Sequence, residues 1–198
     1  MSIAGAVLAS PALAGPEGGV VVEGEATITY GENSIVIQQN SDRVIIEWQS
    51  FDVGANESVN FIQPSELAAA LNRVLSGEAS VILGSLTANG QITLVNPAGT
   101  FGAFMNIDVA AITATTLDII NTNFMAGDLV FDQYDDRFAD ASVTNDGTIT
   151  VGDRGLAPWW RRGWRTTASS RRVPCGGAGV GHGGDDRLLR RRSGQLSR

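Results

Sequence analysis

The chain has 198 residues and a formal net charge of −7, unevenly divided. Residues 1–158 hold four Arg, no Lys and nineteen acidic residues, net −15, whereas the last forty hold ten Arg against Asp185 and Asp186, net +8. An acidic body without lysine argues against nucleic-acid or anionic-lipid binding, and with Cys175 the only Cys no intramolecular disulfide can form.

In chain order, Ile3 to Leu8 is a short apolar run, followed by Ala12-Leu13-Ala14, the A-x-A pattern that signal peptidase cuts. Residues 1–14 are expected to be the end of a signal peptide that starts upstream, because no Lys or Arg precedes the apolar run. The mature chain then begins at Gly15. No stretch reaches the ~20 apolar residues of a membrane-spanning helix.

From Val20 to Phe61 the β signals are dense: Thr27–Tyr30, Ser34–Gln38, Val44–Trp48 and Val59–Ile62, each bounded by Gly, Asn or Asp. Strands this short hide little surface singly and must stack on neighbours. Pro64 to Gly77 has a Ser cap, alanines and a terminal Gly, which by propensity is a helix. Beyond it, Val81-Ile82-Leu83 and Ile92–Val95 are cut by Gly84, Asn89-Gly90 and Asn96-Pro97-Ala98-Gly99, the rhythm of short strands joined by tight turns.

Asn89–Leu94 and Asp146–Val151 share a polar-Gly-x-Ile-Thr-apolar pattern, with Gly90 and Gly147 57 residues apart, three times 19. A β-solenoid coil has about that length. In such a stack, inward Ile, Val and Leu form ladders, turn Asn residues bond the next coil, and Gly supplies positive φ at corners.

Asp128, Asp132, Asp135, Asp136 and Asp140 cluster around Phe131, Tyr134 and Phe138. Paired carboxylates could serve glycosidic acid/base chemistry or bind Ca²⁺, but the segment lacks the spacing of calcium loops and reads as a solvated acidic loop. His182, the only His, lies in the basic tail, so histidine catalysis or a multi-His metal site in the body is excluded. No Gly-x-Ser-x-Gly occurs, and Gly176–Gly181 follows no strand, so neither a nucleophile elbow nor a phosphate loop is present. No catalytic residue, metal or cofactor is expected.

From Trp159 the composition changes abruptly, gathering three of four Trp, ten of fourteen Arg and the only Cys and His. One expectation is a disordered basic arm. Another is an out-of-frame ending: joining each codon's third base to the first two of the next permits Val-Ala-Pro-Gly-Val-Ala-Asn-Asn-Gly-Val-Ile, which repeats the pattern of Val143–Ile149. The opposite shift from Val180 also permits an alternating, strand-like string. The expected organisation is 1–14 partial signal peptide, 15–158 β domain, and 159–198 out-of-frame or disordered tail.

Four spaced motifs in order resemble the filamentous-haemagglutinin-type N-terminal secretion domain of two-partner secretion exoproteins. They are the Val44–Gly54 and Ser58–Phe61 opening strands, Leu71-Asn72-Arg73-Val74, Gly84-Ser85-Leu86-Thr87-Ala88-Asn89-Gly90, and Asn96-Pro97-Ala98-Gly99. The likeness covers residues 20–157. Ala98 stands where the family usually has a second Asn, which puts in doubt only the contact of that amide.

The resemblance implies an all-β, right-handed, single-stranded parallel β-helix with short extra-helical strands at its N-terminal cap. It also implies an extended run through Leu71–Val74 after a turn near Pro64, so a brief helical turn around Ser65–Ala69 followed by a strand is expected. By the same resemblance the domain is a monomeric recognition module of a large adhesin, exported by the general secretory machinery. An outer-membrane β-barrel transporter with periplasmic receptor domains binds it, and it folds at the bacterial surface. Asn72, Arg73, Asn89, Gly90, Asn96, Pro97 and Gly99 are the candidate residues for transporter recognition, or for turns needed in folding. The rival readings are a polysaccharide-active β-helix enzyme and a free-standing cell-surface structural protein; the passenger's target lies beyond this sequence.

Overall fold

The computed structural model describes residues 15–102, 106–132 and 135–151, and the backbone of three short strands between 159 and 172. The signal-peptide reading, Tyr134, Cys175 and His182 lie outside the described residues. The N-terminal end begins with two antiparallel strands, β1 (Val20–Glu23) and β2 (Ala26–Tyr30). β2 pairs with β3 (Ser34–Gln39) and β1 with β4 (Arg43–Trp48). From there the pairing is parallel, because each later strand lies one coil above an earlier one.

Three faces result. The first stacks β3, β5 (Ser58–Ile62), the start of β8 (Ser85–Val95), the start of β10 (Asn106–Thr115), β12 (Thr148–Val151) and β15 (Ser170–Arg172). The second stacks β4, β6 (Ala69–Val74), the later halves of β8 and β10, and β13 (Trp159–Trp160). The third opens with the Val53–Ile82 bridge and stacks β7 (Ser80–Ile82), β9 (Thr100–Gly102), β11 (Val143–Asn145) and β14 (Arg165–Thr166). The expected β-solenoid with extra-helical cap strands is therefore the fold observed.

Alternation along each strand fills the interior. Val44, Ile46 and Trp48 point inward with Val59, Phe61, Leu86, Ile92, Leu94, Ile107, Ile112 and Ile149, all buried in one continuous core. Burying each such side chain contributes about 1.5–3 kcal/mol. Trp48 meets Phe51 edge-on, ring centroids 5.4 Å apart, at the corner leading to the third face. The ladders are in register: Leu86 lies against Ile107, and Ile92 against both Ala70 and Ile112.

The repeat inferred from Gly90 and Gly147 has a different basis. Ile149 stacks on Ile107, and so on Leu86, not Ile92. The two Gly-x-Ile-Thr units thus sit on different faces. The coil from β10 to β12 is lengthened by residues 116–142, which leave the stack, form the short helix α1 (Asn121–Ala126) and a 3₁₀ turn (Asp136–Phe138), and return at β11.

The turn and following strand expected after Pro64 are observed in place of the helix that propensity favours, and the reading of Asn89-Gly90 changes. Residues 65–68 form only a turn, closed by the Ala68 amide donating to the Ser65 carbonyl and Oγ, both at 3.1 Å, and β6 starts at once. Its pairing between β4 and β8 outweighs the alanines' helical preference. Asn89-Gly90, read as a tight turn, is a bend inside continuous β8, where these two residues oppose the single Ala110 as a bulge. Gly90 does not have positive φ. It is required by close approach: a Cβ there would lie 2.6 Å from the Ala68 carbonyl oxygen and 2.6 Å from Gln63 Oε1.

Gly90→Ala is therefore expected to lower stability by about 1–3 kcal/mol through forced displacement of the neighbouring coil. Urea unfolding followed by far-ultraviolet circular dichroism of the β-sheet measures it; an unchanged midpoint contradicts the close approach.

Candidate functional site

The seven candidate residues converge on the second face and its two corners. In β6, odd-numbered Ala69, Leu71 and Arg73 point away from the core, yet all six residues of the strand are buried. Their outward side is covered by residues 116–127. Ile119 and Phe124 of that segment pack with Ile45, Ala69, Leu71 and Val95 in a second apolar cluster. α1 is six residues rich in Asn, lacks a side-chain N-cap bond, and ends at Gly127 with φ 88°. So short a helix is held by its packing.

Arg73 ties this cover down. Its Nε donates to Asp118 Oδ1 at 2.9 Å, Nη1 to Asn121 Oδ1 at 2.9 Å and Glu47 Oε1 at 3.2 Å, and Nη2 to the Ile119 carbonyl at 2.7 Å. The guanidinium fork suits this spread of acceptors in a way that a lysine ammonium does not. Arg43 on β4 lies 5.3 Å from the centroid of the Phe124 ring, so a second cation faces the same segment.

Asn72 points the other way, into the core. Its Oδ1 accepts from Trp48 Nε1 at 3.0 Å and its Nδ2 donates to the Thr93 carbonyl at 3.4 Å, linking three successive coils of the second face. Fully buried, it satisfies an indole N–H that would otherwise be unpaired.

Asn96-Pro97-Ala98-Gly99 is a turn closed by the Gly99 amide donating to the Asn96 carbonyl at 2.9 Å, with Pro97 at its second position. Asn96 Oδ1 accepts from the Ala98 amide at 3.0 Å. Its Nδ2 reaches down one coil to the Glu78 carbonyl and Ser80 Oγ, both at 2.9 Å. Gly99 has φ 105°, and a Cβ would lie 2.6 Å from the Ser142 carbonyl oxygen of the coil above. Pro97 and Ala98 are half-buried. Ala98 contributes its backbone amide, so the departure from the usual Asn leaves the turn intact.

At the corner between the first two faces, exposed Asn89 pairs with both peptide groups of Gln63. It accepts from the amide and donates to the carbonyl, each at 2.7 Å. Sequence reading missed the residues beneath: buried Gln63 donates to Gln39 Oε1 at 2.9 Å and to the Ala68 carbonyl at 3.1 Å, and Gln39 donates to the Ser41 carbonyl at 2.7 Å. Gln39–Gln63 and Trp48–Asn72 are both 24 residues apart, a spacing visible in the sequence. The seven candidates are thus coil-to-coil links and corners in one region of the fold.

The acidic segment does not form a centre. Asp135 caps the 3₁₀ turn and pairs with Arg137 at 2.7 Å, and hydrogen bonds from the Arg137 side chain and backbone hold its carboxyl below the usual range. Among the described residues no group of three or more His, Cys, Asp or Glu is placed to hold a metal. A cavity of 310 Å³ lined by Pro16, Tyr30, Ile35, Val53 and Val59 lies at the N-terminal cap, with none of the seven candidate recognition residues in its wall.

The TPS secretion domain family model matches residues 12–158. The chain belongs to the TPS secretion domain family. It is 40% identical over 139 residues to a heme/hemopexin-binding protein of Haemophilus influenzae strain Rd, covering 68% of this chain and 15% of that protein. A second heme/hemopexin-binding protein from Haemophilus influenzae is 49% identical over 90 residues, 44% of this chain and 10% of that protein. The crystal structure of the HMW1 secretion domain from Haemophilus influenzae superposes with a TM-score of 0.69 at 38% identity, covering 73% of this chain and 39% of that one. A TPS domain implies a cognate outer-membrane transporter as the second partner, and TPS exoproteins are secreted to the cell surface. The family is one of secretion domains, not a known enzyme family.

Asn96→Ala removes both inter-coil bonds and the side-chain bond to the Ala98 amide, and is expected to cost about 1–3 kcal/mol. Pro97→Ala removes only chain stiffness and is expected to cost under about 1 kcal/mol. Urea midpoints of the two variants check the ranking, and a larger loss at Pro97 contradicts it.

Proposed function

We propose that this TPS domain is the export address of a large surface exoprotein, read by the periplasmic receptor domains of its transporter while unfolded or extended, and folding as a monomer once outside. The observation that carries this reading is the position of Asn72, Arg73, Asn96 and Gly99. Buried as links between coils, they have little to offer a partner of the finished fold. The side chains of Asn72, Arg73 and Asn96 are free while the coils are still apart. Strand-rich chain can add to a sheet edge of the receptor, with main-chain hydrogen bonds providing affinity. Each coil that then forms outside buries apolar surface on the last, which biases movement outward.

Residues 1–14 are proposed to carry the end of the signal for the general secretory machinery. The region from Trp159 is proposed to be an out-of-frame ending with no evolved site, which sequencing of codons 155–198 tests: absence of solenoid repeats in either alternative frame refutes it. Adhesion is proposed for the whole exoprotein, whose target is carried by other segments. Haem or hemopexin binding is not proposed for this domain, which matches 15% and 10% of the lengths of the relatives bearing that name.

The reading is tested by measuring affinity of the transporter's purified periplasmic portion for the full chain, folded or freshly diluted from urea. Tighter binding to the diluted chain, by about tenfold or more, is expected from the larger competent fraction. Equal affinity for both states contradicts recognition before folding.

A further inference from the structure

The outward side of β4, β6 and β8 on the second face is finished by a segment that arrives late. Arg73 and its partner Asp118 are 45 residues apart, and the side chains covering Leu71 come from Ile119 and Phe124. The three strands pair with one another through contacts that do not involve residues 116–127. When chain up to about Val95 has been delivered, Ile45, Ala69, Leu71 and Val95 therefore form a bare apolar stripe with Arg73 at its end.

The charge pattern narrows what such a stripe attracts. Residues 1–158 hold only four Arg and no Lys, and two of the four, Arg43 and Arg73, lie on this stripe. Glu47 on β4 pairs with Arg73 at 3.2 Å, so the stripe carries two guanidinium groups against one carboxylate and is a net cationic spot in a domain that is otherwise acidic. Residues 116–127 answer it with apolar Ile119 and Phe124 beside the acceptors of Asp118, Asn121 and the Ile119 carbonyl. α1 is too short to persist alone, so it forms as it docks.

Resting on the reading that a transporter recognises this domain, we propose that the Ile45–Ala69–Leu71–Val95 stripe with Arg73 and Arg43 is the surface held by the transporter's periplasmic portion, and that residues 116–127 displace it. The receptor groove then presents an apolar pair beside carboxylate or carbonyl acceptors, the same chemistry as the segment that replaces it. Release is coupled to progress, since the competing segment becomes available only after the stripe has been delivered.

The test uses the full chain and the transporter's purified periplasmic portion. A triple variant, Asp118→Ala, Asn121→Ala and Phe124→Ala, loosens the cover while leaving the stripe intact. Its apparent affinity in native buffer is expected to exceed that of the folded parent by about tenfold, as the competent fraction rises. Val59→Ala, which weakens the core on the first face, is expected to give no comparable gain. Adding Arg73→Gln to the triple variant is expected to remove the gain, and a photo-crosslinker at Leu71 to capture the receptor in the triple variant only. If the triple variant does not fold, a synthetic peptide of residues 117–127 is expected to displace the receptor from chain freshly diluted from urea. Equal gains in the triple variant and Val59→Ala, a gain that survives Arg73→Gln, or a peptide that fails to compete overturn the proposal. If urea-diluted parent chain binds but the triple variant gains nothing, this inference alone fails; if no state binds, the transporter reading fails with it.

Discussion

A coil of this solenoid cannot satisfy its own backbone. Each strand inside the ladders takes its hydrogen bonds from the strand below and the strand above, so each turn is stable only in proportion to the closeness of its neighbours. Where the chain bends out of the ladder at a corner, backbone groups lose those partners. Polar side chains reaching between coils must replace them, and this requirement explains the placement of Gln39, Gln63, Asn89 and Asn96.

The same constraint explains why the most distinctive residues are interior. Asn72 bonds the Trp48 indole one coil below and a carbonyl one coil above, and Arg73 joins β4 and β6 to residues 118–121. Each is a polar group placed where an apolar one would leave a buried partner unpaired, a loss of about 1–3 kcal/mol. Their specificity is for register, since an Asn or Arg displaced by one residue would switch between the core and the covering segment. The N-terminal end is closed by two antiparallel strands, β1 on β4 and β2 on β3.

Much of this was legible in the sequence. Alternating runs such as Val44–Trp48 and Ile92–Val95 announced short strands, and motif order announced the family. The covering segment was not legible, because Asn121–Ala126 is short, rich in Asn and without a side-chain N-cap, and is held as a helix by Phe124 and Ile119 packing on β4 and β6. The repeat was misread because Gly-x-Ile-Thr marks corners on more than one face, and because residues 116–142 break the even coil length. Gly90 reads as a turn residue because an Asn-Gly pair has the same appearance in a turn and at a bend within a strand. What distinguishes the two is the Ala68 carbonyl from the preceding coil, a contact no local pattern encodes.

The central claim is that Arg73 closes the stack by joining separate coils. Hydrogen exchange with peptide-level mass spectrometry, comparing the full chain with its Arg73→Gln variant, tests it most directly. The account predicts that protection falls together in β4, β6, the later half of β8 and residues 116–127, while β3 and β5 on the first face keep theirs. Loss confined to residues 116–127, or spread evenly over all three faces, would contradict it.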